Sequence, residues 1–163
     1  MTKLEELENE LERLKNEIEK LKEEGKQEKK STRWKPTEKN CHYCYIETCG
    51  DVSKCGKWDG EYTDFGRYRI GNLFKTKEEA EFEAERLKVI AEMKEFAFEP
   101  DWNDVSQLKF CIYYNYRIEA IKIDYYYTDK YVDIYFESAE KAQECINAVG
   151  ADRIKKYYFR VEE

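Results

Sequence analysis

Phe74-Lys75-Thr76-Lys77-Glu78-Glu79-Ala80 and Phe136-Glu137-Ser138-Ala139-Glu140-Lys141-Ala142 are the two stretches that decide how this chain is read. Each runs from an aromatic to a hydroxyl residue two positions on, then to Glu after two more and Ala after four. A Ser or Thr in that place accepts a free backbone N–H of the first helical turn, so Thr76 and Ser138 are helix N-caps. Thr76 with Glu79 has the spacing of a capping box. In both cases a strand runs directly into a helix.

The helix after Thr76 is expected over about residues 77–98. Ala80, Ala84, Leu87, Ile90, Ala91 and Ala97 form one stripe on it, with Phe82, Val89, Met93 and Phe96 beside them, a face wide enough to be mostly buried. The helix after Ser138 is expected over residues 139–149. It buries Ala142, Cys145, Ile146 and Val149 and stops at Gly150, which tolerates a positive φ. Upstream of each helix lies an aromatic hairpin. Trp34 precedes a strand over residues 41–46, a turn at Cys49-Gly50-Asp51 and a return over 52–58. Trp102 precedes a strand over 110–114, a turn near Asn115 and a return over 117–127. A third strand is expected near 68–74 and again near 131–136, and the aromatic segment 154–161 reads as a closing strand. The pattern predicts an α+β fold: an N-terminal coiled-coil helix (residues 1–24), a linker (25–33), and a duplicated β-β-β-α globular domain with repeats 34–99 and 100–163. A repeat of roughly 60 residues buries too little surface to stand well alone, so the two should pack as one domain.

The coiled coil rests on Leu4, Leu7, Leu11, Leu14, Ile18 and Leu21, spaced alternately three and four residues apart. That narrow stripe is the seam of a zipper rather than the broad face of a globular helix. With Leu4 at position a, the interhelical pairs of a parallel register are Lys3 with Glu8, Glu10 with Lys15, and Glu17 with Lys22, all opposite in sign. An antiparallel partner would bring Glu10, Glu17 and Glu24 together, so the charges favour a parallel homodimer or homotrimer.

The 163 residues are 41% hydrophobic and 40% charged, which allows one core or two small ones and no large multidomain enzyme. Lys and Arg number 29 against 36 Asp and Glu, a formal charge of −7, which argues against a general phosphate-binding surface and makes direct nucleic-acid binding an unfavoured reading. No apolar run approaches the roughly 18 residues of a membrane span, and no leader-like stretch opens the chain, so a cytoplasmic protein is expected. In a reducing compartment the six cysteines are expected as free thiols or metal ligands.

Cys41, Cys44, Cys49 and Cys55, with His42 adjacent, form the one cluster with a hint of zinc spacing. Residues 41 and 44 fall in a strand-like run, where an odd separation sends side chains to opposite faces, so ordinary thiols and no cofactor are the expectation. His42 is the single histidine, and no Ser or Cys is placed by sequence to use it as a base, which predicts a protein without enzymatic activity.

Alternation in the second half is more informative. Ile121, Ile123 and Tyr125 share a strand face with a core character, as do Val132, Ile134 and Phe136. The opposite faces carry Lys122, Asp124 and Tyr126, then Tyr131, Asp133 and Tyr135. Tyr beside Asp on an open sheet supplies semi-rigid apolar area with polar tips, so Asp124, Tyr126, Tyr131, Asp133 and Tyr135 are the candidate partner-binding residues. A solvated sheet face, with Tyr present for its strand propensity, is the other reading.

The order of a Glu/Leu/Lys zipper, Arg33-Trp34-Lys35-Pro36, a Tyr-rich hairpin, Gly71-Asn72-Leu73-Phe74-Lys75-Thr76-Lys77-Glu78-Glu79-Ala80-Glu81, then Leu87-Lys88-Val89-Ile90-Ala91-Glu92 and a second Trp-led half resembles small accessory proteins of phages and integrative elements of low-GC Gram-positive bacteria. The resemblance implies a phage protein in the bacterial cytoplasm that acts by binding a host protein. Its most concrete form is a host defence inhibitor, an anti-CRISPR-like block of a nucleic-acid-dependent defence nuclease. The alternative is an oligomeric structural or DNA-transaction accessory protein of a phage, touching nucleic acid through Lys26, Lys29, Lys30, Arg33 and Lys35.

Overall fold

The computed structural model describes Lys3, residues 10–18 and residues 33–161, with the backbone alone for Lys54 and Cys55. The chain divides into two units, Met1–Trp34 and Lys35–Glu163. In the first, residues 10–18 are helical, and Leu11, Leu14 and Ile18 each keep half or more of their surface exposed. Leu4, Leu7 and Leu21, the remaining seam positions, lie outside the described residues.

The second unit is mixed α and β. Strand β1 (His42–Ile46) pairs antiparallel with β2 (Val52–Lys57), and the register shifts between Tyr43 and Tyr45. Gly50, at φ 87°, makes the turn that a side chain would resist. The chain then enters helix α1 (Tyr62–Arg69), where the sequence pattern predicted strand near residue 68. Arg67 and Arg69 in its last turn suit the negative end of the helix dipole. Its end is a Schellman motif: the Asn72 N–H donates to the Arg67 carbonyl at 2.8 Å and the Gly71 N–H to the Tyr68 carbonyl at 3.1 Å, with Gly71 at φ 81°. The Gly-Asn pair is thus a helix stop, and the expected third strand over 68–74 shrinks to one antiparallel bridge, Cys44 with Phe74. The Asn72 side chain extends that pairing by accepting from the Ile46 N–H (2.6 Å) and donating to the Ile46 carbonyl (2.7 Å).

Helix α2 (Lys77–Lys94) starts at Thr76, whose hydroxyl accepts from the Glu79 N–H at 3.2 Å. The Glu79 carboxylate reaches back to the Lys75 N–H, one residue before the cap. Ala80, Ala84, Val89 and Met93 are buried, whereas Leu87 is about half exposed at 49% and Ala91 is exposed, so the covered stripe is narrower than expected. The helix also ends four residues early, because Phe98 leaves it to bridge Tyr135.

Strands β3 (Lys109–Asn115) and β4 (Ala120–Tyr126) form an uninterrupted antiparallel hairpin, Lys109 opposite Tyr126 through Asn115 opposite Ala120. On the far side of β3, Phe110 bridges Phe136. Helix α3 (Ala139–Val149) follows, capped by the Ser138 hydroxyl on the Lys141 N–H and ended at Gly150, φ 95°. The closing strand expected over 154–161 is instead helical: a short turn Ala151–Arg153 runs into a π-helical turn Ile154–Tyr158. Its aromatic and branched residues are there to fill the core rather than a ladder. Ile154 is fully buried, Tyr157 meets Phe82 with ring centroids 5.1 Å apart, and Arg153 grips both Glu92 oxygens at 2.7 and 2.9 Å.

One core joins these parts: Val89 and Met93 of α2, Ile112 of β3, Ile134 and Phe136, Ala142, Cys145 and Val149 of α3, and Ile154. Fully burying side chains of this size stabilises by roughly 1.5–3 kcal/mol each. Among the described residues no helix is long and apolar enough to cross a membrane.

Candidate functional site

Strand β4 ends in Tyr125 and Tyr126, with Tyr127 just beyond it, and alternation sends Tyr125 to the core face and Tyr126 to the other. Tyr125 rests on Phe110 (5.7 Å) and on Tyr127 (5.8 Å) yet remains 48% exposed, short of the burial expected for it. Tyr126 packs against Tyr131, centroids 4.6 Å apart and tilted 54°, and Tyr131 is 65% exposed. Asp124 and Asp133 are exposed beside them. Burial, and then the negative charge of Asp124, push the Tyr126 phenol above its ordinary pKa, so it stays a neutral donor. Tyr158, half-buried against the core, is pushed up for the same first reason, with Asp133 adding to it.

Of the five predicted partner-binding residues, Asp124, Tyr126, Tyr131 and Asp133 reach the surface. Tyr135 does not. It is only 2% exposed, its ring meets Trp102 edge-on at 5.3 Å, and its hydroxyl accepts from the backbone N–H groups of Tyr131 (2.9 Å) and Val132 (3.3 Å). The Trp102 ring packs on the side chain that alternation alone left open, and the Phe98 bridge pairs the backbone beside it. Tyr135 therefore positions Tyr131 from below instead of touching a partner.

A second support was not legible in the sequence. Lys109 begins β3 with no exposed surface, and its ammonium donates to the carbonyls of Asp104 (3.0 Å), Gln107 (3.0 Å) and Tyr127 (2.9 Å). An ammonium has three donors, and here each has a carbonyl, which is the condition for burying it. The Trp102 ring lies 5.4 Å from the same nitrogen. Loop 101–108 and the end of β4 are tied together at one point, and the tyrosine cluster stands on it.

The first half carries its own polar network. The Tyr43 hydroxyl donates to Asp64 Oδ1 at 2.5 Å and accepts from Arg67 Nη1 at 2.7 Å, while Asp64 Oδ2 accepts from the N–H groups of Asp59 and Gly60. Arg67 also lies 3.5 Å from the Tyr45 ring centroid. Burial opposes ionisation of Asp64, but these donors outweigh it and hold its carboxyl below the usual range. Burial and the Asp64 partner push the Tyr43 phenol up. Every group is satisfied internally, so the network locks α1 onto the hairpin and presents no open acid or base.

The remaining candidates are dispersed. Cys41 is half-buried with its thiol against the His42 carbonyl, Cys44 is buried, Cys49 is exposed and meets Asp51, and the Cys55 side chain lies outside the described residues. Among the described residues no group of three or more His, Cys, Asp or Glu is gathered for a metal. His42 is exposed on the hairpin. Of the basic strip, Lys26, Lys29 and Lys30 lie outside the described residues and Arg33 is exposed. The Lys35 ammonium sits 5.1–5.6 Å from the ring centroids of Trp58, Phe65 and Tyr68, which fixes it to the domain. Compared with protein families, characterised proteins and solved structures, the chain has no match.

Proposed function

We propose that this is a non-enzymatic protein-binding module of a phage or mobile element, which presents the Tyr126–Tyr131 surface to a host protein. The observation that carries the reading is a packed tyrosine pair, Tyr131 exposed and Tyr126 half-buried beside it, with Asp124 and Asp133 exposed nearby in sequence and buried Lys109 and Tyr135 supporting it. Buried, fully bonded supports under exposed aromatics keep the contact surface preorganised, which lowers the entropy lost on binding. Tyrosines with carboxylates on either side complement a basic surface, and a defence nuclease's nucleic-acid channel is the concrete partner of that chemistry. The domain is a duplication in this account: in each half the first hairpin strand bridges an aromatic two residues before a capped helix.

The seam residues described, Leu11, Leu14 and Ile18, lie exposed on one helix, and the alternating charges of the parallel register favour further copies of the same chain as their partners. Joining copies multiplies the affinity of each surface for a partner with repeated sites. The test is direct binding of the purified chain to a purified CRISPR nuclease. Tyr131→Ala with Asp133→Lys should weaken it at least about tenfold, and Leu11→Asp with Leu14→Asp should weaken it further only where the nuclease offers more than one site.

A further inference from the structure

The free edge of β4 has a parity that can be worked out from its neighbour. Phe110 directs both its N–H and its carbonyl away from β4 to Phe136, at 3.2 and 2.8 Å. Phe110 faces Tyr125 across the hairpin, so this pair is not hydrogen-bonded, and the backbone groups of Tyr125 point away from β3. Strand alternation extends the result to Ile123 and Ile121. These three residues present outward donors and acceptors on an edge that has no neighbouring strand among the described residues.

We propose that this edge is a homotypic interface: a second copy of the chain adds its own β4, antiparallel, about a twofold axis at Ile123. In that register Ile123 faces Ile123 and Ile121 faces Tyr125, so outward groups meet outward groups at every pair. Lys122 then falls opposite Asp124 of the second copy, twice by symmetry, in the closely spaced non-hydrogen-bonded positions where cross-strand charge pairs interact best. Sliding by two residues keeps the parity but sets Lys122 against Lys122 in one direction and Asp124 against Asp124 in the other. Parallel in-register pairing also stacks like charges. The sequence of the edge therefore selects one self-complementary arrangement, and an isologous contact of this kind closes at two copies instead of growing.

Lys122 is exposed and has no ion pair among the described residues, and Asp124 holds only the Tyr125 N–H, at 2.8 Å. In the single chain that bond covers one of the outward donors. On pairing, Asp124 turns to Lys122 of the second copy, and the Tyr125 N–H passes to the carbonyl of Ile121. Tyr131 and Asp133 lie outside the paired residues, whereas Asp124 belongs to both this edge and the proposed partner surface, so the edge is tested with no host protein present. The zipper involves different residues.

Residue-resolved hydrogen exchange on the full chain, followed as protein concentration rises, tests it. The amides of Ile121, Ile123 and Tyr125 should slow by about tenfold or more, while those of Lys122 and Asp124, already bonded to β3, are protected throughout and report that the hairpin is folded. Lys122→Asp alone and Asp124→Lys alone should each abolish the concentration-dependent slowing, since each repels itself. Mixing these two variants should restore it, because each then complements the other. Fast exchange at Ile121 and Ile123 at every wild-type concentration overturns the proposal, as does slowing that survives either single substitution.

Discussion

The Lys109 ammonium and the Tyr127 carbonyl lie 2.9 Å apart at the open end of the β3–β4 hairpin, where β3 begins and β4 has just finished, with no exposed surface on the lysine. This contact joins the start of the hairpin to its last tyrosines, and the carbonyls of Asp104 and Gln107 complete it. Replacing the ammonium with an apolar group of similar length, Lys109→Met, leaves three carbonyls without their donor. The expected cost is on the order of 3 kcal/mol in urea unfolding. An unchanged midpoint would show that the three bonds do not hold the loop.

Asp64 sets an acid limit on stability. Its pKa is lowered on folding, so its contribution is fully present above the unfolded-state value near about 3.9 and is lost as pH falls through the folded value below it. Thermal unfolding of wild type should therefore weaken as the pH drops below about 4, and Asp64→Asn should be less stable near neutrality with a shallower acid decline. Identical acid slopes in the two proteins would remove Asp64 from this role.

Gly56 lies under the Tyr43 ring. A Cβ at this position would approach the ring carbons to 2.3–2.7 Å, closer than any real contact. Because Tyr43 is 1% exposed and tied to Asp64 and Arg67, it cannot move aside without breaking those bonds. Gly56→Ala should cost about 2 kcal/mol or more, whereas Gly66→Ala, where the added methyl meets nothing within 4 Å, should be neutral or stabilising. Comparable stabilities for the two variants would contradict the packing described.

The thiols should sort by burial. Cys111 and Cys145 are each pushed up to about 11, by burial in both cases and secondarily by Asp124 for Cys111, so neither forms thiolate near neutral pH. Cys49 is exposed. A native-state alkylation course should label Cys49 quickly and Cys111 and Cys145 only on unfolding. Early labelling of Cys145 would mean that α3 opens far more readily than its packing implies.

Much of the fold follows from local chemistry that a sequence displays. The caps at Thr76 and Ser138, the helix 139–149 and the β3–β4 hairpin are set by neighbours within a few residues. What escaped was decided by distant partners. Residues 62–69 became helical because Asp64 finds Tyr43, and the Gly71-Asn72 stop is as compatible with a turn between strands until the helix before it is known. Residues 154–158 have strand composition, but α2 offers Phe82 and Glu92 as partners, so the segment coils. The site was legible to the same extent. Alternation turned Asp124, Tyr126, Tyr131 and Asp133 toward solvent, where the structure has them exposed or half-exposed, but it misplaced Tyr135, whose ring is packed against the distant Trp102. It was silent on Lys109, since nothing near a lysine in sequence announces three carbonyls arriving from loop and strand ends.

Engagement of a host nuclease by the proposed Tyr126–Tyr131 surface can be measured in the cell. The tagged full chain and its Tyr131→Ala, Asp133→Lys variant are expressed in a Gram-positive bacterium carrying an active CRISPR system, and the recovered proteins are quantified by mass spectrometry. One nuclease complex should be enriched with the wild-type chain and lost with the variant, while the variant remains folded. Equal recovery of a nuclease by both chains, or recovery of DNA without any nuclease, would contradict it.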